Sequence, residues 1–267
     1  KYLIIEDFIF IYDFFEFEDF LRTPGPWFAG FDLPFSMPFE LVEFYNWPKI
    51  WNKFVEFYCS QSQVYLKSAF ISWCNSKPAG KKFSWRKTEI YAGSSPAMRW
   101  VNPPVAWMMY RGMKIMLKEN LHFPVHNFPV NLKKMDLSLK NFLIGKNLNF
   151  NYKLAFEAYP GFIARKIVKN SYKNDDKNKN TTVRIDNRKK ILNRLVNPRN
   201  NFSVTLTCSN NIYNMAVNDS KGDILDSIIC AFQVSETLFK NSFGITHNYN
   251  SFEGWISGVP FSGKGKN

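Results

Sequence analysis

Residues 222–239 read as one strong element, and from 223 to 233 nearly every position is apolar, so a helix there is buried almost all round because it has little polar face to offer water. Over residues 223–233 the polar exceptions are Asp223, Asp226, Ser227 and Gln233. Asp223 and Asp226 are three apart, so both carboxylates project from one face, in line with Cys230 and Gln233. A buried carboxylate is costly unless it is paired or bound to a cation. Two readings follow. In the first, Ser220 is the helix N-cap, Asp223 stands at N3, and both acids favour the positive helix end. That explains Asp223 better than Asp226. In the second, the acids hold a metal ion.

The chain is long enough to enclose such a helix. Its 267 residues are 45% hydrophobic and 18% aromatic, which excludes a wholly disordered, collagen-like or coiled-coil protein. No internal repeat is visible, and residues 1–267 read as one α/β domain with a helical insertion at about 40–150. Cys59, Cys74, Cys208 and Cys230 are widely spaced and form no disulfide framework, which suits a reducing compartment and a cytoplasmic location. No apolar run approaches the ~20 residues of a membrane span, so a membrane is not an expected partner.

Hydrophobic patterning predicts a buried strand over residues 8–12, a short helix around Phe17, Phe20 and Leu21, and a stop at Pro24, Gly25 and Pro26. Residues 27–31 read as a central strand ending on Asp32. A helix is expected over 48–59 and further helical pieces to about 120, and then a strand over 152–159 that contains Glu157. A helix beginning at 162–168, a helix over 185–196 and a β-branched strand over 202–208 complete the pattern.

Charge is uneven. Residues 1–48 carry nine acidic and two basic side chains, whereas residues 165–199 hold twelve Lys or Arg against three Asp, within a chain of net charge +13. A nucleic acid could dock on the basic stretch. The plainer reading is a solvated Lys- and Asn-rich loop.

Asp32 at a strand end, Glu157 within a strand and the pair Asp223 and Asp226 on one helix together make an oxygen-only donor set suited to Mg²⁺ or Mn²⁺. Such ions activate water and stabilise the leaving oxygen in phosphodiester hydrolysis. Taken singly, Asp32 suits a turn cap, and Glu157 suits a solvent-facing or paired strand acid. Other chemistries have weaker signals. Pro124 separates His122 from His126 and argues against a helical zinc face, and His247 stands alone. There is no G-x-S-x-G elbow, and the glycines and lysines at 263–266 lack the following helix of a phosphate loop.

An ordered set of short blocks resembles the bacterial domain of unknown function 429 family. The blocks are PGPWFAGFDLPFSMP at 24–38, RKTE at 86–89, GSSP at 93–96, NPPV at 102–105, FEAYPG at 156–161, YK at 172–173, GDILD at 222–226 and EGWI at 253–256. The resemblance implies a ribonuclease H-like fold, a mixed sheet flanked by helices, and a predicted nuclease activity. By the same resemblance Asp32, Glu157, Asp223 and Asp226 match the family's acidic positions, Arg86 and Glu89 a polar pair, and Lys173 and Arg188 basic positions, without assigned roles. The four acids are expected here to be catalytic and to hold the metal, and Arg86, Lys173 and Arg188 to contact substrate phosphate. The family's first strand carries a Gly-x-Asp signature with no counterpart in residues 1–20, so the resemblance also implies a metal site short of one ligand and a sheet short of one strand. The reading is therefore a metal-dependent nuclease, with a non-catalytic nucleic-acid-binding or scaffold protein as the alternative.

Overall fold

The Pro24–Gly25–Pro26 turn releases the chain into the apolar strand Trp27–Phe31, which is half-buried along its length and pairs with one other strand, where its sequence suggests a central strand. The structure is a computed structural model, and it describes residues 1–126, 132–146, 150–245 and 249–260. The elements run β1 (Tyr2–Ile5), α1 (Phe14–Arg22), β2 (Trp27–Phe31), α2 (Phe39–Phe44), α3 (Trp51–Ser60), α4 (Gln63–Asn75), α5 (Lys87–Ala92) and α6 (Val105–Met116). They continue with α7 (Leu132–Leu143), β3 (Lys153–Glu157), α8 (Pro160–Arg165), α9 (Thr182–Val196), β4 (Thr205–Cys208), α10 (Asn210–Asn218) and α11 (Asp223–Leu238).

The fold is mixed α/β. Its strands form two parallel pairs: β1 with β4 from Tyr2 opposite Thr205 to Ile5 opposite Cys208, and β2 with β3 from Trp27 opposite Lys153 to Phe31 opposite Glu157. The expected mixed sheet is thus two separate parallel ladders among the described residues. Parallel partners need long crossovers, and the helices supply them.

Helix boundaries follow local chemistry. The Asp13 side chain accepts the Glu16 N–H at the start of α1, Ser62 accepts from Tyr65 at α4, and Thr181 accepts from Arg184 at α9. Pro160 occupies the first turn of α8, where its missing N–H removes no bond.

The first strand differs from its sequence signal. Residues 8–12 form no strand, and Ile9 and Tyr12 are 72% and 83% exposed, whereas Tyr2–Ile5 pairs with β4. A β-rich apolar run becomes a strand only where a partner edge is in register, and β4 offers its edge to residues 2–5.

Apolar burial forms three clusters. The largest joins α3, α4 and α6 through Phe54, Tyr58, Phe70 and Met113, and it continues into Leu21 of α1, Ala155 of β3 and Phe252, so the helical region from 40 onward shares its core with the strands. A second joins α8–α11 with β4 through Ile191, Leu195, Leu206 and Phe232. A small third cluster, with Phe150, Leu154, Phe156 and Val234, links β3 to α11. Among the described residues no helix is long and apolar enough to cross a membrane, and all four cysteines are free.

Helix α11 packs on β2, α8 and α10 and reaches β1. Its contact with β2 is possible because position 30 is glycine. A Cβ there would stand 2.8 Å from Val234 Cγ2 and 2.9 Å from the Cys230 carbonyl oxygen. The helix backbone cannot retreat without opening the core between β2 and α11. Gly30→Ala is therefore expected to destabilise the protein by about 2 kcal/mol, a fall of roughly 4–8 °C in melting temperature by calorimetry. An unchanged melting temperature would mean that β2 and α11 are not in close contact.

Candidate active site

Strands β2 and β3 end level with each other. Phe31 lies opposite Glu157, and the Ala158 N–H donates to the Phe31 carbonyl at 2.9 Å. Asp32 and Glu157 therefore emerge at the same C-terminal edge, the edge where parallel α/β sheets place their ligand crevices. Both border a cleft of about 340 Å³ whose lining includes Arg86, Glu89, Ser95 and Lys173.

The start of α11 lies against Lys173, one of the residues that line the cleft. Gly222 has φ +77°, and a Cβ there would lie 2.8 Å from Lys173 Cβ, so glycine both adopts the left-handed turn and lets the 172–173 segment lie against the helix. Asp226, one turn into the helix, is buried. It accepts the Tyr172 hydroxyl at 2.5 Å and the Lys173 ammonium.

Capping does not account for Asp226, whose own N–H bonds the Gly222 carbonyl inside the helix. Nor does Ser220 cap α11 as expected. Gly222 is the N-cap residue, Asp223 is the first helical residue, and Asp219 Oδ2 accepts the Ile224 N–H at 2.9 Å.

The carboxylates influence one another. Asp32 is pushed from 3.8 up to about 7, first by burial and then by the Asp226 charge; Lys173 opposes the shift and Glu157 adds to it. It accepts no hydrogen bond among the described residues. Burial also raises Asp226, against the pull of Lys173 and Tyr172. For Lys173, burial disfavours the charge, but Asp226, Asp32 and Asp223 outweigh it, and the ammonium is held above its usual range. Burial, reinforced by Asp226, keeps the Tyr172 phenol protonated.

Below this pair lies a tied ionic network. Arg86 donates through Nη1 and Nη2 to the two Glu157 oxygens at 2.8 and 2.5 Å, and through Nε to Glu89 at 2.7 Å. Its Nη1 also reaches the Glu253 carbonyl at 2.9 Å, while the Phe35 N–H donates to Glu157 Oε2 at 3.1 Å. Glu89 further accepts the Arg86 and Ala97 N–H groups, and burial pushes its carboxyl up to about 7 with Arg86 opposing. Arg86 and Glu89 are each 1% exposed.

The structure lines one cleft with Asp32, Glu157, Lys173 and Arg86, joins Asp226 to it only through Lys173, and leaves Asp223 exposed. Three expected roles need correction. Arg188 is fully buried and donates to the Val217 and Tyr172 carbonyls at 2.7 and 2.6 Å and to Asn180 at 2.9 Å, so it fastens the loop that carries Tyr172 and cannot reach a substrate phosphate. Arg86 spends its guanidinium on Glu89, Glu157 and Glu253 rather than on substrate. Glu157 has both oxygens engaged by that fork, which leaves it unsuited to a metal.

Tyr172 and Glu89, which stand in the sequence blocks without an expected site role, and Asp219, which the sequence reading does not single out, also shape the site. For Tyr172 a signal existed, since a tyrosine beside a site lysine needs a partner for its hydroxyl once buried. His126 stacks on Trp51 at 4.2 Å and bonds the Ser251 carbonyl, and burial pulls it down to about 3, so it is a neutral packing residue. His247 and residues 263–266 lie outside the described residues.

For a hard cation the donor chemistry fits in part. Asp32 and Asp226 supply two carboxylates near enough for the charge of one to raise the other, and Asp32 accepts no hydrogen bond among the described residues. No group of three or more His, Cys, Asp or Glu suited to a metal ion occurs among the described residues. Two ligands, completed by water, suit Mg²⁺, which retains much of its hydration shell.

The Asp32 shift carries a pH signature. Because the folded form binds the proton more tightly than the unfolded chain, its contribution is complete below pH 3.8 and is lost as pH rises to about 7. Asp32→Asn is expected to remove that decline and to raise the melting temperature at neutral pH by about 3 °C, on the order of 1 kcal/mol. Melting curves across this window check it, and parallel curves for the two proteins would contradict the burial of an ionised Asp32.

Comparison with family profiles, with curated proteins and with solved structures finds no match for this chain.

Proposed function

We propose that the chain hydrolyses nucleic-acid phosphodiester bonds with the help of Mg²⁺ or Mn²⁺, Asp32 and Asp226 being the acids that would hold the ion. The observation that supports this best is the electrostatic coupling of those two carboxylates, one at a strand end lining the cleft and one on a buried helix, with Lys173 both lining the cleft and pairing with Asp226. Asp223, exposed one turn earlier on α11, adds negative charge near Lys173.

A divalent ion bound there supplies neutralising charge and polarises a phosphoryl oxygen. The chain's own residues do the rest. Lys173 pairs with Asp226 and lines the cleft, so its ammonium is the cation within reach of an incoming phosphate. Tyr172 orients Asp226 through its hydroxyl. The Arg86 fork fixes the Glu157 end of β3 and so holds the cleft floor rigid. The finer fold reading, ribonuclease H-like and related to the domain of unknown function 429 family, rests on the order of the sequence blocks. It is supported by acids at parallel strand ends.

A second reading has one specific observation in its favour. With Glu157 committed to Arg86, the described acids fall short of the four expected, as in a nucleic-acid-binding protein that retains the fold without a working centre.

Metal titration separates the two. For an enzyme, Mn²⁺ at about 100 times its dissociation constant should stabilise the fold by about 2.7 kcal/mol, and Asp226→Asn should abolish both this rise and cleavage of a fluorophore–quencher oligonucleotide. Binding of the oligonucleotide without cleavage and without a metal-induced shift would establish the non-catalytic reading instead.

A further inference from the structure

A second cleft, of about 700 Å³, shares a wall with the candidate active site. Ser84, Trp85 and Ile90 line the second cleft, while Arg86 and Glu89, from the same short segment, line the first. Its character differs from that of the active-site cleft. Three aromatic residues, Trp73, Phe83 and Trp85, are interleaved with three lysines, Lys77, Lys81 and Lys82.

The cations there are not equivalent. Lys77 bonds Glu40 at 2.9 Å and lies over the Trp73 ring at 4.0 Å, and Ser84 Oγ donates to the other Glu40 oxygen at 2.8 Å. Glu40, the acid lining this cleft, is thereby satisfied from within. Lys81 and Lys82 are exposed, and among the described residues neither makes an ion pair. Trp85 presents its indole 42% exposed. An exposed indole beside unpaired ammonium groups matches what an unpaired nucleotide offers: a flat base face and a phosphate.

We propose that this second cleft is a docking groove for single-stranded polynucleotide, with bases stacking on Trp85 and phosphates meeting Lys81 and Lys82. A duplex keeps its base faces inside the stack and cannot use the indole. An acidic peptide would satisfy the lysines and leave Trp85 without a role. The continuation of the same strand into the neighbouring cleft rests on the nuclease reading given above; the docking itself does not.

The test is fluorescence anisotropy of a fluorescein-labelled ~12-nucleotide oligothymidylate in EDTA, where metal-dependent cleavage is silent. Trp85→Ala should weaken binding about tenfold, and Trp85→Tyr should restore most of it. The double variant Lys81→Ala/Lys82→Ala should lower the slope of log affinity against log salt by about 1.4. Because these side chains are exposed, unchanged melting temperatures verify that the variants fold.

Undiminished binding by Trp85→Ala overturns the proposal, as does equal or tighter binding of a hairpin duplex or of a polyglutamate of similar length. Hydrolysis of the short ester thymidine 5′-(p-nitrophenyl phosphate), too small to span both clefts, keeps the two readings apart. Its rate should be the same in Trp85→Ala as in the unaltered protein. If the unaltered protein binds the oligonucleotide through Trp85 but does not hydrolyse the ester, the nuclease reading fails and the groove stands.

Discussion

The contact between β2 and α11 governs how Asp32 lies relative to Asp226. It needs a residue without a Cβ at position 30, because the carbonyl of Cys230 and a methyl of Val234 already occupy the space that one would fill. With the strand seated there, its last step delivers Asp32 beside Asp226, and the burial that follows raises the proton affinity of both. A looser contact would admit water between strand and helix, and the two carboxylates would behave as ordinary surface acids.

A second constraint fixes the same edge of the sheet from the other side. Arg86, from the turn before α5, grips Glu157 with two nitrogens and Glu89 with a third, and also reaches the backbone at Glu253. Three segments distant in the chain thereby meet at one guanidinium. Buried ion pairs often contribute little net stability, yet loss of one partner costs about 3–5 kcal/mol. The network therefore specifies an arrangement more than it strengthens the fold. Arg188 does the same for the loop carrying Tyr172 and Lys173, by way of two carbonyls and Asn180.

Much of this was legible in the amino-acid order, and the failures have physical causes. The strand over Trp27–Phe31, the helix over Trp51–Ser60 and the buried helix Asp223–Leu238 follow from apolar runs with clear stops, which are local properties. The apolar segment at 8–12 misled because strand formation requires a partner edge, and β4 pairs with residues 2–5. Asp32 and Asp226 stood out as polar breaks in apolar elements, a pattern that signals cost and hence purpose. The roles of Arg86, Arg188 and Glu157 were not legible. A sequence shows that a side chain is charged, but which charges become internal partners depends on contacts between residues as far apart as Arg86 and Glu157.

The central claim is that Asp32, which lines the cleft, and Asp226 share a field that a cation would relieve. Its most direct measurement is the carboxyl ¹³C titration of Asp32 by NMR in the unaltered protein and in Asp226→Asn. The account predicts a midpoint of about 7 in the former and a lower one once the neighbouring charge is removed. A midpoint near 3.8 in both proteins would contradict it, because the two carboxylates would then be neither buried together nor within reach of a common ion.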